Sequence, residues 1–379
     1  MKVKIAHCAD LHIGSKISGL GHKAVTRAAE VKNSFFNIIN VCDKENIDVL
    51  CISGDFFDDV SVLKGEIDEI KGICESANFK IVISPGNHDP FSADSPYKDI
   101  WPENVFIFKN NYLEKIEFDD IKVRVWGAAF KGRYENKSFL KNIEMPKDDF
   151  INLGVLHGEI VSSNLCKSSY NPVLIEDIEK SGFDYLALGH IHKRSKIYKS
   201  GETFYSYSGN VESSGFNDLG EKGIYLGEIS KGFCDLKFIK TCKRSYYIKE
   251  INVSGLKNDN DIAEKISSSL AEEFGENYDE NIYKIVLIGE ISDGVLINTQ
   301  DIKSILESGI FYCNVEDNTE IEIDTENFNH KNDFKGIFIK KMAEKINNQS
   351  SEDDKLIYKK ALKLGLISFE SDVKYNDDN

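Results

Sequence analysis

The sequence has no apolar run close to the roughly 18 residues that a membrane-spanning helix needs. Its first strand-like segment begins at Met1, so we expect no signal peptide. Eight cysteines are scattered along the 379 residues without a Cys-x-x-Cys pair, and several, such as Cys51, fall within apolar runs. This scatter disfavours a disulfide framework. It favours buried, reduced thiols and a cytoplasmic protein with no membrane attachment.

Two motifs of common enzyme classes are also missing. The sequence contains no Gly-x-Ser-x-Gly segment, which disfavours a serine nucleophile elbow. It contains no Walker-type glycine-rich loop, so we do not expect the chain to hydrolyse ATP by itself. A hydrophobic content of 41% suits a soluble globular protein, and 379 residues suffice for two or three domains.

Positive charge is scarce in the last third of the chain, and no arginine follows Arg244. Residues 1–245 hold 32 Lys and Arg against 35 Asp and Glu, a net charge of −3. Residues 246–379 hold 15 against 28, a net charge of −13. Non-specific DNA affinity comes mainly from neutralised phosphates, so a chain this acidic should bind DNA weakly on its own.

Five short polar motifs dominate what is present, and each follows a short apolar run. In chain order the motifs are Asp10-Leu11-His12, Gly54-Asp55-Phe56-Phe57-Asp58, Gly86-Asn87-His88-Asp89, His157-Gly158-Glu159 and Gly189-His190-Ile191-His192. The preceding runs are rich in Val and Ile and read as buried strands. Because the carboxyl ends of strands meet at one sheet edge in a strand–helix fold, the five motifs should converge on one site.

The motifs supply seven candidate metal ligands: Asp10, His12, Asp55, Asn87, His157, His190 and His192. Seven ligands exceed what one ion needs but suit two ions that share a carboxylate. Oxygen and imidazole ligands without sulfur suit Mn, Fe or Zn. Two ions about 3.5–4 Å apart form a site for phosphoryl chemistry, in which a water is activated and the phosphate oxygens are held.

This motif series resembles the signature of calcineurin-like metallophosphoesterases over roughly residues 1–245. The opening segment His7-Cys8-Ala9-Asp10-Leu11-His12-Ile13-Gly14-Ser15 is similar to that of SbcD-type DNA repair exonucleases. The segments Ser208-Gly209-Asn210 and Gly220-Glu221-Lys222-Gly223 resemble the YhaO branch of that group. The resemblance implies an α/β fold, a metallophosphoesterase β-sandwich flanked by helices.

The resemblance also implies how the seven ligands are shared between two ions. It assigns them as Asp10, His12 and His192 on the first ion, Asn87, His157 and His190 on the second, and Asp55 on both. Mn²⁺ is the expected metal, with Fe, Zn and Mg as alternatives.

His88 is the motif histidine left without a metal. The resemblance implies that it faces the scissile phosphate and stabilises it or protonates the leaving oxygen. We expect the neighbouring Asp89 to orient His88 and raise its pKa. Asp58, Asp59 and Glu159 stay open between a supporting role behind the ligands and, for the two aspartates, a helix N-terminal carboxylate.

Two basic clusters are candidate DNA contacts. They are Lys193, Arg194 and Lys196, directly after the last motif, and Lys131 with Arg133. Ordinary solvated surface charge is an equal alternative for both clusters.

The pattern restarts after Arg244 and predicts three domains. Residues 1–245 form the nuclease domain, and 246–324 form a small α+β domain that matches the family's capping domain. Residues 325–379 form a polar linker, 325–333, and two amphipathic helices. The predicted apolar face of the first helix consists of Phe334, Ile337, Phe338 and Met342, and that of the second of Leu356, Ile357, Ala361 and Leu364. The resemblance implies that these helices bind the coiled coil of an SMC-like ATPase, and packing against the chain's own cap is the alternative.

The expected function is a metal-dependent exonuclease or endonuclease that acts on DNA ends in repair, with an SMC-like (SbcC-type) ATPase partner. One alternative is a phosphodiesterase or phosphatase for a small or protein-bound phosphate. Another is a non-catalytic scaffold subunit of an ATPase complex, against which the intact ligand set counts. Cleavage polarity, the native metal, a preference for DNA or RNA, and formation of a homodimer are left open.

Overall fold

The computed structural model describes residues 1–163, 168–292, 295–321 and 334–370. The chain forms two compact units, Met1–Ser245 and Tyr246–Asn379. Within the described ranges, no helix combines the length and the apolar character needed to cross a membrane.

Among its described residues, the first unit has two six-stranded sheets, one two-stranded pair and three α-helices. Its strands are β1 (Val3–Cys8), β2 (Val49–Ile52), β3 (Lys80–Ile83), β4 (Val105–Ile107), β5 (Glu114–Phe118), β6 (Val123–Gly127), β7 (Ile151–His157), β8 (Ile160–Val161), β9 (Val173–Leu174), β10 (Tyr185–Gly189), β11 (Tyr198–Ser200), β12 (Thr203–Tyr207), β13 (Gly223–Ser230) and β14 (Phe233–Lys240). Its helices are α1 (Ala24–Lys44), α2 (Lys64–Glu75) and α3 (Ile175–Ser181), with 3₁₀ turns at Gly21–Lys23 and Pro96–Lys98.

Both sheets have a parallel centre, and antiparallel strands lie at one edge of the first sheet and at both edges of the second. The first has the order β14-β13-β1-β2-β3-β4, in which β1 to β4 are parallel. The second has the order β11-β12-β10-β7-β6-β5, in which β12, β10, β7 and β6 are parallel. Strands β8 and β9 form a separate pair. The strand ends that carry polar motifs therefore belong to the central, parallel part of each sheet.

The two sheets pack face to face through a buried apolar layer. Ile5 and Val49 of the first sheet share this layer with Leu153 and Val155 of the second. Helices α1 and α2 cover the outer face of the first sheet through side chains such as Phe35 and Ile70, and α3 covers the second sheet through Ile178. This arrangement confirms the predicted α/β sandwich flanked by helices. All five predicted apolar runs form strands.

The second unit has a small parallel sheet and four α-helices among its described residues. Its strands are β15 (Tyr246–Asn252), β16 (Ile282–Ile288), β17 (Glu290–Ile291), β18 (Tyr312–Asp317) and β19 (Glu320–Ile321). Its helices are α4 (Asp259–Phe274), α5 (Thr299–Leu306), α6 (Phe334–Asn347) and α7 (Glu352–Glu370), with a 3₁₀ segment at Gly275–Glu280. The order β15-β16-β18 forms the sheet, and α4 and α5 bury Ile262, Ile266 and Ile302 against it.

Helices α6 and α7 pack against each other through a face that differs from the predicted one. Their shared core contains Ile339, Ile346, Leu362 and Leu366, with Phe338 and Met342 partly buried against it. The prediction grouped Phe334, Ile337, Phe338 and Met342 on one face of the first helix, and Leu356, Ile357, Ala361 and Leu364 on one face of the second. The packing divides the first set, because the partner helix covers Phe338 and Met342 only, and it leaves the whole second set exposed. The predicted linker, 325–333, and the predicted boundary at 324–325 lie outside the described residues.

Candidate metal centre

The candidate ligands follow the central strands of both sheets. Asp10, Asp55 and Asn87 come after β1, β2 and β3, while His157 ends β7 and His190 follows β10. The side chains of Asp10, Asp55, Asn87 and His157 are buried, which is unusual for polar and ionisable groups unless they are hydrogen-bonded, paired or bind a metal. Because the parallel strands of each sheet end on the same side, these residues meet where the two sheets face each other.

One group of ligand atoms lies around His12. The Nε2 atoms of His12 and His192 are 3.2 Å apart, and one ligand atom from each of Asp10, His12 and His192 lies within 4.8 Å of the others. Both carboxylate oxygens of Asp10 lie 3.1 Å from the backbone N–H of His190, which donates to them. These contacts bring together the three residues assigned to the first ion.

A second group lies around the fully buried ring of His157. Its Nε2 atom lies 2.9 Å from Oδ1 of Asn87 and 3.3 Å from Oδ2 of Asp55. Its Nδ1 atom lies 2.9 Å from the Ser53 carbonyl, so Nδ1–H donates there and Nε2 is left to face the carboxylates. The ring of His190 lies 5.2 Å from that of His157, centroid to centroid.

Asp55 lies between the two groups. Its Oδ2 atom is 3.3 Å from Nε2 of His157 and 3.9 Å from Nε2 of His12. Its Oδ1 atom accepts a hydrogen bond from the backbone N–H of His88 at 2.9 Å. A carboxylate in this position can serve both groups, as the bridging assignment requires.

The donor set fits divalent ions. Ligands bound at about 2.1 Å to one ion lie roughly 3.0–3.4 Å from each other, close to the spacings around His12 and His157. The Nε2 atoms of His12 and His192 are 3.2 Å apart, and their lone pairs would repel each other unless a proton or a cation lay between them. The three groups of candidate metal-binding side chains in the described ranges contain only carboxylates and imidazoles, which suits Mn, Fe or Zn.

The backbone of the site is held in an uncommon conformation. Asp10, His12, Asp55 and His190 have φ angles of 53°, 48°, 49° and 97°, in a region that residues with a side chain rarely adopt. Strain of this kind clusters at functional sites, where the surrounding structure holds it.

Gly54 and Gly86 allow the motifs to approach one another. A Cβ atom on Gly54 would overlap the ring of His157, and one on Gly86 would overlap Asp55. The glycines of these motifs are therefore required by close packing around the candidate ligands.

Burial and charge oppose each other in the protonation of the buried ligands. Burial raises the pKa of Asp10 to about 7, although His157 counteracts it. Burial also opposes ionisation of Asp55, but the charges of His157 and His12 hold its pKa below the usual range. For His157, burial favours the neutral ring, but Asp55 and Asp10 outweigh it and raise the pKa to about 9. In the metal-free protein a proton on His157 thus partly compensates the buried carboxylates.

Metal binding should therefore release protons and strengthen as the pH rises. A ligand must lose its proton, and His157 is protonated below a pKa of about 9, so the apparent Mn²⁺ affinity should rise at least about tenfold per pH unit between about pH 6 and 8. The rise should be steeper below about pH 7, where Asp10 must also lose a proton. Calorimetric titration at several pH values, in buffers of different ionisation enthalpy, measures both the affinity and the protons released. An affinity that does not change with pH would show that Mn²⁺ does not displace this proton.

Asp89 does not have the predicted role. Its side chain is fully buried, and its Oδ2 atom accepts hydrogen bonds from the N–H groups of Phe56 and Phe57 at 2.8 and 3.0 Å and from the Tyr97 hydroxyl. Its Oδ1 atom accepts from the N–H of Gly86 at 2.8 Å. These four donors occupy both oxygens, so Asp89 ties two metal-ligand loops together and does not orient the His88 ring. Tyr97 lies outside every motif, and no sequence pattern pointed to it.

His88 is instead held by the backbone of Asp58. Its Nδ1 atom lies 3.0 Å from the Asp58 carbonyl, so Nδ1–H donates there and Nε2 is left for the site. One ligand atom of His88 lies within 4.8 Å of those of His12 and Asp55, so His88 borders the metal centre.

The structure distinguishes Asp58, Asp59 and Glu159, the three acidic residues whose supporting role was left open. The Asp58 carboxylate lies 3.1 Å from Nδ1 of His12, the contact by which a carboxylate commonly orients a metal-binding histidine. The Asp59 carboxylate accepts from the Ser61 N–H at 2.9 Å, which is a local turn contact. Glu159 pairs through its backbone with Tyr170 and Val173. Only Asp58 therefore acquires a supporting contact to a candidate ligand.

The five candidate DNA contacts are all exposed, but three of the side chains are already engaged. Lys196 Nζ lies 5.2 Å from the centroid of the Tyr198 ring. The Arg194 guanidinium lies 3.5 Å from the centroid of the Phe238 ring. Lys131 Nζ donates to the Lys109 carbonyl at 3.0 Å and lies 5.0 Å from the Phe91 ring. Lys193, Lys196 and Arg133 are exposed as well.

The fold and the centre together define a metallophosphoesterase. Residues 3–194 match the calcineurin-like phosphoesterase family, and the chain belongs to that family. The uncharacterized metallophosphoesterase YhaO of Bacillus subtilis is 27% identical over 267 residues, which are 66% of this chain and 64% of that protein. DNA double-strand break repair proteins Mre11 are similar too. That of Saccharolobus solfataricus is 26% identical over 293 residues, 68% of each chain, and that of Methanocaldococcus jannaschii is 25% identical over 288 residues, 69% of this chain and 72% of that one.

Proposed function

We propose that this chain is a metal-dependent nuclease that hydrolyses phosphodiester bonds at DNA ends during repair. The observation that carries the proposal is the convergence of all seven candidate ligands between the two sheets. The similarity to Mre11 repair proteins supports a DNA substrate, and the family supports phosphoester hydrolysis. We also propose Mn²⁺ as the metal, with Fe, Zn and Mg as alternatives, and a cytoplasmic location consistent with the free thiols of the seven described cysteines.

The chain's own residues have two roles in the proposed reaction. Some hold the metal-binding histidines in place, and one stabilises the phosphate or donates a proton. Two bound divalent ions would supply an activated water and offset the charge of the phosphodiester. Asp58 holds the His12 ring through Nδ1, and the Ser53 carbonyl does the same for His157, so each presents Nε2 to the centre. His88, held by the Asp58 carbonyl, presents its own Nε2 and can stabilise the phosphate or give a proton to the leaving oxygen.

One assay tests the proposed function directly. Purified protein loaded with Mn²⁺ is given duplex DNA, single-stranded DNA and bis-p-nitrophenyl phosphate side by side. Cleavage of DNA and of the small diester supports the nuclease. Cleavage of the small diester alone would indicate a phosphodiesterase with a small substrate. Binding of no metal and cleavage of neither substrate would indicate a scaffold subunit.

Lys193 and Lys196 should contribute to DNA affinity. Both are exposed and lie directly after His192, whereas Arg194 of the same stretch packs on Phe238. Replacing Lys193 and Lys196 with Ala should weaken DNA cleavage and reduce the slope of its salt dependence by up to about two, because each phosphate contact contributes about one.

The matched control replaces Lys147 and Lys231, which are also exposed and line a cavity with Asp184. Asp184 accepts from the N–H of Asn152 at the start of β7, the end of that strand opposite to His157. This variant should leave the salt slope as it is. Equal losses on DNA and on bis-p-nitrophenyl phosphate in the Lys193 and Lys196 variant would show that these lysines shape the centre. No loss of activity on either substrate would show that Lys193 and Lys196 are ordinary surface charges.

We propose further that α6 and α7 bind the coiled coil of an SMC-like ATPase. Several large apolar side chains remain exposed on the helix pair, among them Phe334 and Ile337 on α6 and Ile357 and Leu364 on α7. Helix α7 is also tied to its own unit, since Lys363 Nζ donates to Asp317 at 2.6 Å and to the Thr319 carbonyl at 2.8 Å. The helices can thus be anchored in the second unit and still present an apolar surface. Formation of a homodimer stays a prediction.

Polar substitutions of the exposed side chains test this surface without removing the helix-pair core. Ile357→Ser with Leu364→Ser should abolish co-purification with the SMC-like ATPase of the same genome, while hydrolysis of bis-p-nitrophenyl phosphate persists. Lys355→Ser with Lys360→Ser is the control on the same helix. Undiminished co-purification by the serine variant would exclude this surface as the contact.

A further inference from the structure

Two sequence segments that the proposed reaction does not use are joined in the first unit. Ser208-Gly209-Asn210 directly follows β12, and Gly220-Glu221-Lys222-Gly223 contains the first residue of β13. Asp218 joins them, because its carboxylate accepts hydrogen bonds from Nδ2 of Asn210 and from Nζ of Lys222. The sequence shows both segments but not this contact, since Asp218 belongs to neither.

Asn210 contacts the backbone beside two residues assigned to the first ion. Its N–H donates to the His192 carbonyl at 3.2 Å. It also forms a parallel β-bridge with Ala9, the residue before Asp10. Gly209 permits this approach, since its φ is 72° and a Cβ atom there would lie 2.7 Å from the His192 carbonyl oxygen. The position of Asn210 therefore affects the separation of His192 and Asp10.

The side chain of Asn210 is held by a buried ion pair. Asn210 and Lys222 have exposed fractions of 3% and 6%, and the Asp218 side chain is 13% exposed. Nδ2 of Asn210 also donates to the Glu212 carbonyl at 2.8 Å, so both of its hydrogens are used. A buried ion pair loses about as much solvation as it gains in attraction, so it adds little net stability. Its more specific effect is to fix the groups bonded to it, here the Asn210 amide.

We propose that Asp218, held by Lys222, is a positioning residue for the first metal ion. It fixes the amide of Asn210, and Asn210 in turn holds the chain at His192 and at Asp10 with the separation that one ion requires. The network should therefore affect the first ion and not the second. This inference rests on the two-ion centre of the proposed function and makes no assumption about the substrate.

Asp218→Leu with Lys222→Met tests the proposal without leaving an unpaired buried charge. Replacing a buried ion pair by apolar side chains of similar volume is often neutral for stability, so the Tm should not fall. The Asn210 amide loses its carboxylate partner, and the affinity for the first Mn²⁺ ion should fall about 10-fold to 100-fold, the usual cost of changing a residue behind a ligand. The affinity for the second ion should stay unchanged.

The measurements do not depend on turnover. Calorimetric titration with Mn²⁺ gives the affinity of each ion, and the variants His192→Ala and His190→Ala identify which binding phase belongs to which ion. Electron paramagnetic resonance gives a second readout at a Mn²⁺ concentration that fills both sites of the wild type. It should show a coupled Mn²⁺ pair in the wild type and an isolated ion in the double variant.

A second variant and a control complete the test. Asn210→Ala breaks the same link but leaves the ion pair intact, and it should weaken binding of the same ion. Glu117→Leu with Arg124→Met is the matched control, since the Arg124 side chain is 7% exposed, as is that of Lys222. Arg124 Nε donates to Glu117 at 2.6 Å at the start of β6, the end of the second sheet opposite to the metal centre. The control should keep both affinities.

A positioning role and a purely structural role give different results. Unchanged affinity for both ions, or a loss confined to the second ion, overturns the proposal even if the protein cleaves DNA, and Asn210→Ala decides if the double variant does not fold. An equal loss of both ions with a lower Tm also overturns it, because the network would then support the fold as a whole. Selective loss of the first ion supports the proposal even if no DNA is cleaved. A wild type that binds no Mn²⁺ overturns the proposed function and this inference together.

Discussion

Asp55→Asn should reduce the bound Mn²⁺ from two ions per chain to no more than one and lower diester hydrolysis by at least about 100-fold. The side chain lies between the groups around His12 and His157, so its loss affects both. Changing a residue that supports a ligand from behind typically costs 10–100-fold in metal affinity or activity, and a shared ligand should cost more. Asparagine keeps an oxygen to accept from the His88 N–H, but it replaces the other oxygen, which faces His157 and His12, by an uncharged NH₂ group that does not bind a metal.

Elemental analysis after Mn²⁺ loading and dialysis, together with an assay on bis-p-nitrophenyl phosphate, measures both effects. Asp59→Asn is the matched control, because that carboxylate is exposed and accepts only a local hydrogen bond from Ser61. The control should keep two ions and full turnover. Two retained ions and wild-type activity in Asp55→Asn would remove the bridging assignment.

The part of the site that lies at strand ends could be predicted from the sequence. A buried parallel strand is a short run of Val and Ile, and its carboxyl end has a fixed place in the sheet, so Asp10, Asp55 and Asn87 could be brought together without coordinates. The buried faces of α4 and α5 in the second unit were predictable for a related reason, since the period of apolar residues reports which face is buried.

Contacts made between loops could not be predicted in this way. Asp89 follows His88 directly, which suggested that the two act together, but its carboxylate turns to the backbone of two loops and to Tyr97. Asn210 and Ser213, which line a cavity with Asp10 and His12, belong to the loop after β12 and to none of the five polar motifs. Their placement at the metal centre depends on the path of the chain after β12, which hydrophobic periodicity does not encode.

The helix pair shows a second limit of periodicity. An amphipathic pattern predicts a helix with an apolar face, but it does not say how much of that face a neighbour covers. In α6, Phe338 packs into the shared core, whereas Phe334 and Ile337 stay exposed. The choice is made by the tertiary partner, α7, and is visible only in the structure.

His88→Gln should keep both metal ions and lower the turnover of DNA by about 10²–10⁴-fold, the range for loss of a general acid. The side chain borders the centre, with Nδ1 held by the Asp58 carbonyl at 3.0 Å and Nε2 free to face a substrate. Glutamine can still donate a hydrogen bond but is a very poor proton donor, so it separates charge stabilisation from proton transfer.

Substrates with different leaving groups distinguish the two possible roles of His88, charge stabilisation and proton transfer. A DNA alkoxide needs a proton as the bond breaks, whereas p-nitrophenolate leaves readily without one, so the loss in His88→Gln should be far larger on DNA than on bis-p-nitrophenyl phosphate. Equal losses on the two substrates would show that His88 stabilises the phosphate charge, and loss of a metal ion would show that it is a ligand, as its closeness to His12 and Asp55 allows. His22→Gln, an exposed histidine outside the five motifs, should change neither metal content nor turnover.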